Sequence, residues 1–221
     1  EKGLVFFLPM NETAGVVLDR SIQRTPSTTQ SGITAYSVAM GHFKGLQFTA
    51  ATPSYLRFGS LAALNFGNNL PFSLLCVCNP NLATDGFIIC NVASADAGSW
   101  GWGLRSAEPA QELFLFGATS GIARVRGAAF SNGTIYMFGA TADGTGTVGG
   151  IALYRDGAAE TPVTVTNTLV GAGATQRNVT VGANDALAEK LNVNALGFLA
   201  VFNELKTPRF YREAAHLAGF L

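Results

Sequence analysis

The sequence predicts an all-β fold in which two antiparallel sheets form a β-sandwich, followed by a short C-terminal helix. Three observations lead to this prediction. Apolar and polar residues alternate over many short segments, which is the period of a half-buried strand. Asp143-Gly144 and Asp156-Gly157 each follow such a segment, and Asp-Gly favours a tight hairpin turn because both residues tolerate positive φ. The length of 221 residues fits a single domain spanning residues 1–221.

The first half of the chain supplies predicted strands at short, regular intervals. Residues 4–8 are apolar on both faces, as expected of a strand covered on each side, and Pro9 ends that strand because proline has no N–H to donate. The segment 24–32 is rich in Thr, Ser and Gln and is predicted to be a surface loop. Alternating segments then follow at 45–48, 54–58, 72–80, 86–91, 101–105 and 112–116.

One of these strands carries apolar residues on both faces. In the segment 72–80, Phe72, Leu74, Cys76 and Cys78 share one face, which belongs in the core, while Leu75 and Val77 lie on the other. We expect a loop, a helix or a neighbouring subunit to cover this second apolar face.

The second half of the chain continues the pattern and ends in a helix. Segments 134–142 and 151–155 form a predicted hairpin whose tip is the glycine-rich tract 142–150, with a contact loop at the sandwich rim as the alternative role of that tract. Further strands are predicted at 177–182 and 196–203. A short helix is predicted near 207–217, with Thr207 as its cap and Pro208 at its first position.

The charge balance narrows the classes of partner. The chain has 14 basic and 14 acidic residues, so the long-range attraction that draws proteins to phosphate backbones is absent and we expect no nucleic-acid partner. No apolar run approaches the roughly 20 residues that span a bilayer, so we expect no membrane insertion. Only 13% of the residues are charged, which favours a subunit of a homo-oligomer or larger assembly. The alternative is a monomer whose Thr, Ser, Asn and Gly residues keep it hydrated.

The three cysteines are an odd number and cannot all pair within the chain. Cys76 and Cys78 lie on one strand face, so these residues and Cys90 are predicted to be small buried thiols. Their spacing matches no zinc pattern, and we expect no metal site. Free thiols favour folding in a reducing cytoplasm.

Several segments resemble the signature of laminin-G-like jelly rolls, which are relatives of concanavalin A. They are Gly-Leu-Val-Phe-Phe-Leu-Pro-Met-Asn-Glu from Gly3, Phe-Ser-Leu-Leu-Cys-Val-Cys-Asn-Pro from Phe72, and Gly-Thr-Ile-Tyr-Met-Phe-Gly-Ala-Thr-Ala-Asp-Gly from Gly133 with Leu-Tyr-Arg-Asp-Gly after it. The resemblance covers nearly the whole chain and implies a jelly-roll sandwich. The sequence departs from the family pattern at Leu8, where the family has Trp, and at 196–203, where an Asp-Glu pair is missing.

The resemblance also bears on calcium. In relatives, the loop after the strand at 45–48 carries acidic residues that contribute to a calcium site. Here the loop from Thr49 to Pro53 has no carboxylate, and hard cations need several oxygen ligands, usually including carboxylates. We therefore expect no cofactor, with calcium as the alternative.

Five residues form the candidate ligand-binding set. Trp100 and Trp102 share one strand face, and the glycines beside them leave room for a flat sugar ring, on which aromatic rings stack well. The alternative for Trp102 is a place in the core. Arg105 points to the opposite face of a regular strand, where it could meet a carboxylate or a partner. Tyr136 and Tyr154 of the signature hairpin complete the set.

No catalytic residues are predicted. Retaining glycosidases on this general fold need a pair of carboxylates about 5 Å apart, and the nearest pairs, Glu108 with Glu112 and Asp185 with Glu189, lie in segments typical of loops or strand edges. Neither histidine has a Ser or Cys partner in a recognisable catalytic context.

The resemblance and the composition together favour a non-catalytic recognition or adhesion module. We expect it to bind a glycan or host surface polysaccharide, as a phage virion decoration or fibre-type protein on a virion or extracellular surface. One alternative is a purely architectural capsid or surface subunit without a sugar ligand, and another is a divergent glycoside hydrolase.

Overall fold

The computed structural model describes residues 2–12, 16–33, 35–49, 54–66, 69–81, 86–92, 101–107, 109–116, 121–169, 178–184, 186–187, 190–191 and 193–221. In these residues the chain forms two antiparallel sheets, two short 3₁₀ turns and an α-helix near the C-terminus. The predicted all-β sandwich with a short terminal helix is confirmed. That residues 1–221 form a single domain remains a prediction.

The strands follow one another along the chain with short connections. In chain order they are β1 (Leu4–Leu8), β2 (Thr29–Ser31), β3 (Ala35–Met40), β4 (Phe43–Phe48), β5 (Tyr55–Ser60), β6 (Phe72–Pro80), β7 (Gly86–Cys90), β8 (Gly101–Ala107), β9 (Ala110–Phe116), β10 (Ile122–Ala129), β11 (Tyr136–Ala142), β12 (Ile151–Arg155), β13 (Ala158–Ala159), β14 (Val163–Asn167), β15 (Asn178–Val181) and β16 (Val193–Phe202), and the helix is α1 (Pro208–Leu217).

Among the described residues, each sheet contains eight strands. Seven strands of the first sheet follow the order β13-β12-β11-β6-β16-β4-β3, and the eighth, β1, pairs with β16. The order in the second sheet is β14-β10-β9-β8-β7-β15-β5-β2. Strand β16 pairs with β6 along one edge; along its other edge it pairs first with β4, at Leu196 and Leu46, and then with β1, at Leu199 and Leu8. The first strand and the last strand of the chain therefore meet in the middle of the first sheet.

The core lies between the sheets and follows the alternation of the strands. Phe72, Leu74, Cys76 and Cys78 of β6 point into this core, as predicted. On the other face of β6, Leu75 and Val77 are buried with Tyr211 and Ala215 of α1. Of the three covers that the sequence allowed for this face, the structure shows the terminal helix.

The helix begins where its sequence signals place it. The Thr207 hydroxyl oxygen accepts a hydrogen bond from the backbone N–H of Phe210 at 3.4 Å, and Pro208 occupies the first helical position, where it has no donor to satisfy. Within the part of the chain that the structure describes, no helix is long and apolar enough to cross a membrane.

The two predicted Asp-Gly turns differ in outcome. Asp156 and Gly157 have φ angles of 49° and 81° and join β12 to β13 in a two-residue turn, as predicted. The prediction of a tight turn at Asp143-Gly144 is wrong. Asp143 does not adopt positive φ; its carboxylate accepts from the N–H and hydroxyl of Thr145, and this local bonding supports a wider loop from 143 to 150 between β11 and β12.

The segment 24–32 is the clearest error among the predicted elements. It was expected to be a loop, but Thr29–Ser31 pairs with β5, with Gln30 opposite Leu56. Its strand is short, lies at the edge of its sheet and has largely polar residues, so it lacks the apolar period that sequence reasoning needs. Strands β3, β10, β13 and β14 were likewise not predicted.

Candidate ligand-binding surface

Arginines surround a single carboxylate on the outer face of the second sheet. Glu112 of β9 lies opposite Arg105 of β8 and opposite Arg126 of β10. The Glu112 carboxylate accepts from Nε and Nη2 of Arg124 at 3.1 and 2.7 Å, and from Nε of Arg126 at 2.5 Å. We call Arg105, Glu112, Phe114, Arg124 and Arg126 the arginine surface.

Phe114 supports these arginines with its ring. The guanidinium carbons of Arg105 and Arg124 lie 5.6 and 4.9 Å from the Phe114 ring centroid, within the range of a cation–π attraction. Gly103 lies opposite Phe114 in β8, and a Cβ at Gly103 would collide with the ring of Phe87, which packs 5.8 Å from Phe114. The absence of a side chain at Gly103 therefore lets the aromatic residues pack beneath the arginines.

The charged groups differ in their access to solvent. The Glu112 side chain is fully buried, while those of Arg124 and Arg126 are 22% and 36% exposed. Within the described ranges, Nη1 of Arg124 and both terminal nitrogens of Arg126 have no hydrogen-bond partner. These two guanidinium groups share one carboxylate, so the trio carries an excess of one positive charge.

Among the predicted ligand residues, Trp102 and Arg105 lie on opposite faces of β8, as predicted. Trp102 is fully buried between the sheets; its indole N–H donates to the Leu64 carbonyl at 2.8 Å, and its ring packs against Phe66 and Phe72. The ligand-binding role of Trp102 is thus corrected to the core position that the sequence offered as its alternative. Trp100 lies outside the described residues.

The two tyrosines lie on opposite faces of the first sheet. Tyr154 is buried beneath α1, where it stacks on Tyr211, and this burial raises the pKa of its hydroxyl. A ligand contact by Tyr154 is therefore also corrected. Tyr136 lies half-buried at the rim, stacked on Phe138, with its hydroxyl accepting from the N–H of Ser131 at 2.9 Å. The candidate residues that the structure describes thus do not converge on one site.

Tyr136 belongs to a cluster that joins the sheets at one edge. The guanidinium carbon of Arg155 lies 5.6 Å from the Tyr136 ring centroid, and Arg155 forms an ion pair with Glu160. Gln111 of β9 donates to Glu160 at 2.8 Å and to the Tyr154 carbonyl at 2.9 Å. Since the bond from Gln111 to the Tyr154 carbonyl runs between strands of different sheets, the cluster has a structural role.

Of the two nearest carboxylate pairs in the sequence, Glu108 with Glu112 and Asp185 with Glu189, the structure describes only Glu112. Glu112 has no exposed surface, and both of its oxygens accept from arginines. Glu108, Asp185 and Glu189 lie outside the described residues. Burial raises the pKa of Asp156, but its carboxylate accepts from the Met137 N–H at 2.8 Å and serves the turn between β12 and β13.

Potential metal ligands are likewise dispersed. Cys76, Cys78 and Cys90 are buried and form no disulfide, and burial raises the pKa of Cys76 to about 12. In the ranges that the structure describes, no three His, Cys, Asp or Glu residues lie close enough to hold a metal ion. The Thr49 N–H donates to the Ser54 hydroxyl at 3.2 Å. The rest of the loop, as far as Pro53, lies outside the described residues. That this loop binds no calcium therefore remains a prediction.

Sequence reasoning missed Arg124 and Arg126. The segment Ile122-Ala-Arg-Val-Arg contains a usable signal, because its arginines share one strand face while Ala123 and Val125 share the buried one. Their convergence on Glu112 depends on the pairing of β9 with β10, which a single strand's pattern does not specify.

Comparison with known proteins supports the fold alone. No protein-family model matches the sequence, and no curated protein matches it. The structure is similar to the binding domain of Paraclostridial Mosquitocidal Protein 1, with 12% identity, a TM-score of 0.71, and coverage of 98% of this chain and 52% of that one. It is also similar to the receptor-binding domain of botulinum neurotoxin C/D mosaic serotype, with 11% identity, a TM-score of 0.65, and coverage of 97% and 51%.

A third similar structure is Trypanosoma rangeli sialidase in complex with sialic acid, with 14% identity, a TM-score of 0.62, and coverage of 96% of this chain and 32% of that one. The chain thus spans about half the length of the two binding domains and about a third of the sialidase. It shares with them the concanavalin A-like jelly-roll fold.

Proposed function

We propose that this chain is a non-catalytic recognition module that binds a glycan on the outer face of its second sheet. The observation that carries the proposal is the arginine surface, where the guanidinium groups of Arg124 and Arg126 have unused donors and are fixed on a sheet. A few convergent polar groups on a rigid scaffold are what gives a ligand its orientation. Fixed donors also lose little conformational entropy when they bind.

The structural neighbours support this reading by analogy. Two of them are the binding domain of a mosquitocidal protein and the receptor-binding domain of a neurotoxin, and a third was solved with sialic acid bound. Fold likeness does not carry function by itself, so the proposal depends on the side chains of this chain. It keeps Arg105 as a ligand contact and adds Arg124 and Arg126; Trp100 remains a prediction, and so does Tyr136, for a separate contact at the rim.

We also propose that the module is displayed as a homo-oligomeric subunit on a virion or another extracellular surface, after folding in a reducing cytoplasm. Supporting observations are the low share of charged residues, the buried cysteines that form no disulfide, and an apolar cleft of about 450 Å³ beside α1. Leu217 at the edge of this cleft is 87% exposed. The rival is an architectural subunit that uses such a surface without binding sugar.

A glycan array probed with the purified chain tests the binding function. We expect the wild-type protein to bind a subset of neutral or acidic glycans, and Arg126→Gln to weaken that binding. Arg209→Gln is the matched control, because Arg209 is 84% exposed on α1, beside the first sheet. No binding to any glycan would overturn the proposal in favour of the architectural subunit.

Two further measurements test the remaining parts. Binding that survives in Trp100→Ala would remove Trp100 from the site. The molecular mass in solution tests the assembly: a monomer at high protein concentration would contradict the homo-oligomer.

A further inference from the structure

We infer that the ligand of the arginine surface is an acidic glycan, whose carboxylate or sulfate group is bound by the terminal nitrogens of Arg124 and Arg126. The inference rests on the proposed glycan-binding function and adds the chemical class of the ligand.

Glu112 uses only some of the donors on each guanidinium group. Glu112 binds Arg126 through Nε alone, at 2.5 Å, and therefore leaves both terminal nitrogens of Arg126 for another acceptor. It binds Arg124 through Nε and Nη2 and leaves Nη1. The buried carboxylate thus positions two guanidinium groups side by side without exhausting their donors. Guanidinium groups match carboxylate and sulfate-like oxygens with paired, charge-assisted hydrogen bonds.

The guanidinium groups and a neutral sugar differ in the hydrogen bonds that they can form. Arginine has donors and no acceptor. The one acceptor group of the arginine surface, the Glu112 carboxylate, is fully buried. The guanidinium groups therefore present donors only, whereas a neutral sugar presents hydroxyls that both donate and accept. A group with acceptor oxygens and negative charge suits this arrangement better than a neutral sugar does.

Arg124 and Arg126 differ in charge balance from three other cations of the chain. Arg155 pairs with Glu160, Lys206 with Glu204, and Arg209 with Glu213, so each of these cations has a carboxylate of its own. Arg124 and Arg126 share Glu112 and retain one positive charge in excess. An anionic ligand would neutralise this excess, and the chain as a whole, with no net charge, would not attract polyanions indiscriminately.

The Arg124 guanidinium is preorganised for binding. The two bonds to Glu112 and the Phe114 ring at 4.9 Å hold the Arg124 guanidinium in place before any ligand arrives. Less side-chain entropy is then lost on binding than for a mobile surface lysine or arginine.

Titration calorimetry with four polymers of matched length tests the inference: dextran sulfate, polygalacturonate, unmodified dextran and polyglutamate. We expect binding of one or both acidic polysaccharides, with dextran and polyglutamate much weaker. Arg126→Gln should weaken the acidic polysaccharide about tenfold or more, since a charge-assisted hydrogen bond is lost. Arg126→Lys should restore only part of the affinity, because lysine cannot present paired donors.

The outcomes separate this inference from the proposed function. Equal affinity of wild type and Arg126→Gln for the acidic polysaccharide removes the arginine surface as the binding site and overturns the inference together with the proposed location of the site. Binding of neutral glycans alone, weakened in Arg126→Gln, overturns the acidic class while the glycan-binding function stands. Equal binding of polyglutamate, together with an equal loss in the control Arg209→Gln, indicates unspecific charge attraction and also overturns the inference. No binding of any glycan, acidic or neutral, overturns both. Preference for dextran sulfate or for polygalacturonate identifies the acidic group as sulfate or carboxylate.

Discussion

Tyr211 of the C-terminal helix stacks on Tyr154 of β12, with the ring centroids 4.0 Å apart and the ring planes 13° apart. The pair attaches α1 to the outer face of the first sheet. The Tyr211 hydroxyl lies 3.0 Å from the Ala140 carbonyl oxygen and 3.2 Å from that of Leu74, so it reaches across two neighbouring strands. One side chain thus joins the helix to both β11 and β6.

Two substitutions at Tyr211 should separate its hydroxyl from its ring. We expect Tyr211→Phe to lower the free energy of unfolding by about 1 kcal/mol, because it removes one buried hydrogen-bonding group. Tyr211→Ala should lower it by about 3–5 kcal/mol, because it also leaves a cavity beneath the helix. Equilibrium unfolding in urea measures both values. An equal cost for the two variants would mean that the ring contributes little.

Gly139 makes room for the Tyr211 ring. A Cβ at Gly139 would collide with Cδ1 and Cε1 of Tyr211, so we expect Gly139→Ala to destabilise the protein by about 1–3 kcal/mol. In a Tyr211→Ala background the same change should cost much less, because the colliding ring is gone. Gly149→Ala is the matched control, since its Cβ would meet nothing closer than 3.8 Å. Additive costs in the double variant would contradict this packing.

Glu112 should matter for stability as well as for binding. Glu112→Gln replaces a fully buried carboxylate that accepts charge-assisted bonds from Arg124 and Arg126. We expect a loss of about 2 kcal/mol in the free energy of unfolding. In Glu213→Gln, which breaks an exposed ion pair on α1, we expect no measurable change. A loss no greater than that of Glu213→Gln would show that the buried network is energetically minor.

The buried thiols predict a loss of stability in alkali. Burial raises the pKa of Cys76 from 9.0 to about 12 and also raises that of Cys78, so above pH 9 the unfolded state releases protons that the folded state keeps. The stabilisation is complete below pH 9 and declines as the pH rises towards 12, by up to about 1.4 kcal/mol per pH unit for each thiol.

Urea unfolding at pH 8, 9 and 10 measures this slope. Cys76→Ala should show a shallower decline than wild type, because one of the titrating groups is removed. Identical slopes in the two proteins would contradict the raised pKa of Cys76.

Fluorescence can test the position of Trp102. The chain has two tryptophans, so Trp100→Phe leaves Trp102 as the single emitter. We expect blue-shifted emission and weak quenching by acrylamide in the folded protein, because Trp102 is fully buried. Unfolding in urea should remove this protection. Strong quenching in the folded protein would contradict the core position.

Local patterns predicted those features that depend on neighbouring residues. The alternation in β6 placed Phe72 and Leu74 in the core, and the Thr207-Pro208 pair marked the start of α1. Asp156-Gly157 formed its tight turn for the same reason, since the φ angles of two adjacent residues decide it. Asp143-Gly144 did not, because a local side-chain bond to Thr145 competed with the turn.

By itself, then, the sequence determined the fold class, the inward faces of most strands and the terminal helix, because periodicity and capping act over a few residues. Only the tertiary structure decided that α1 covers Leu75 and Val77, that Trp102 is core, and that Arg124 and Arg126 converge on Glu112. These outcomes depend on which strands pair and in what register, and register is a property of two segments that neither segment's own pattern contains.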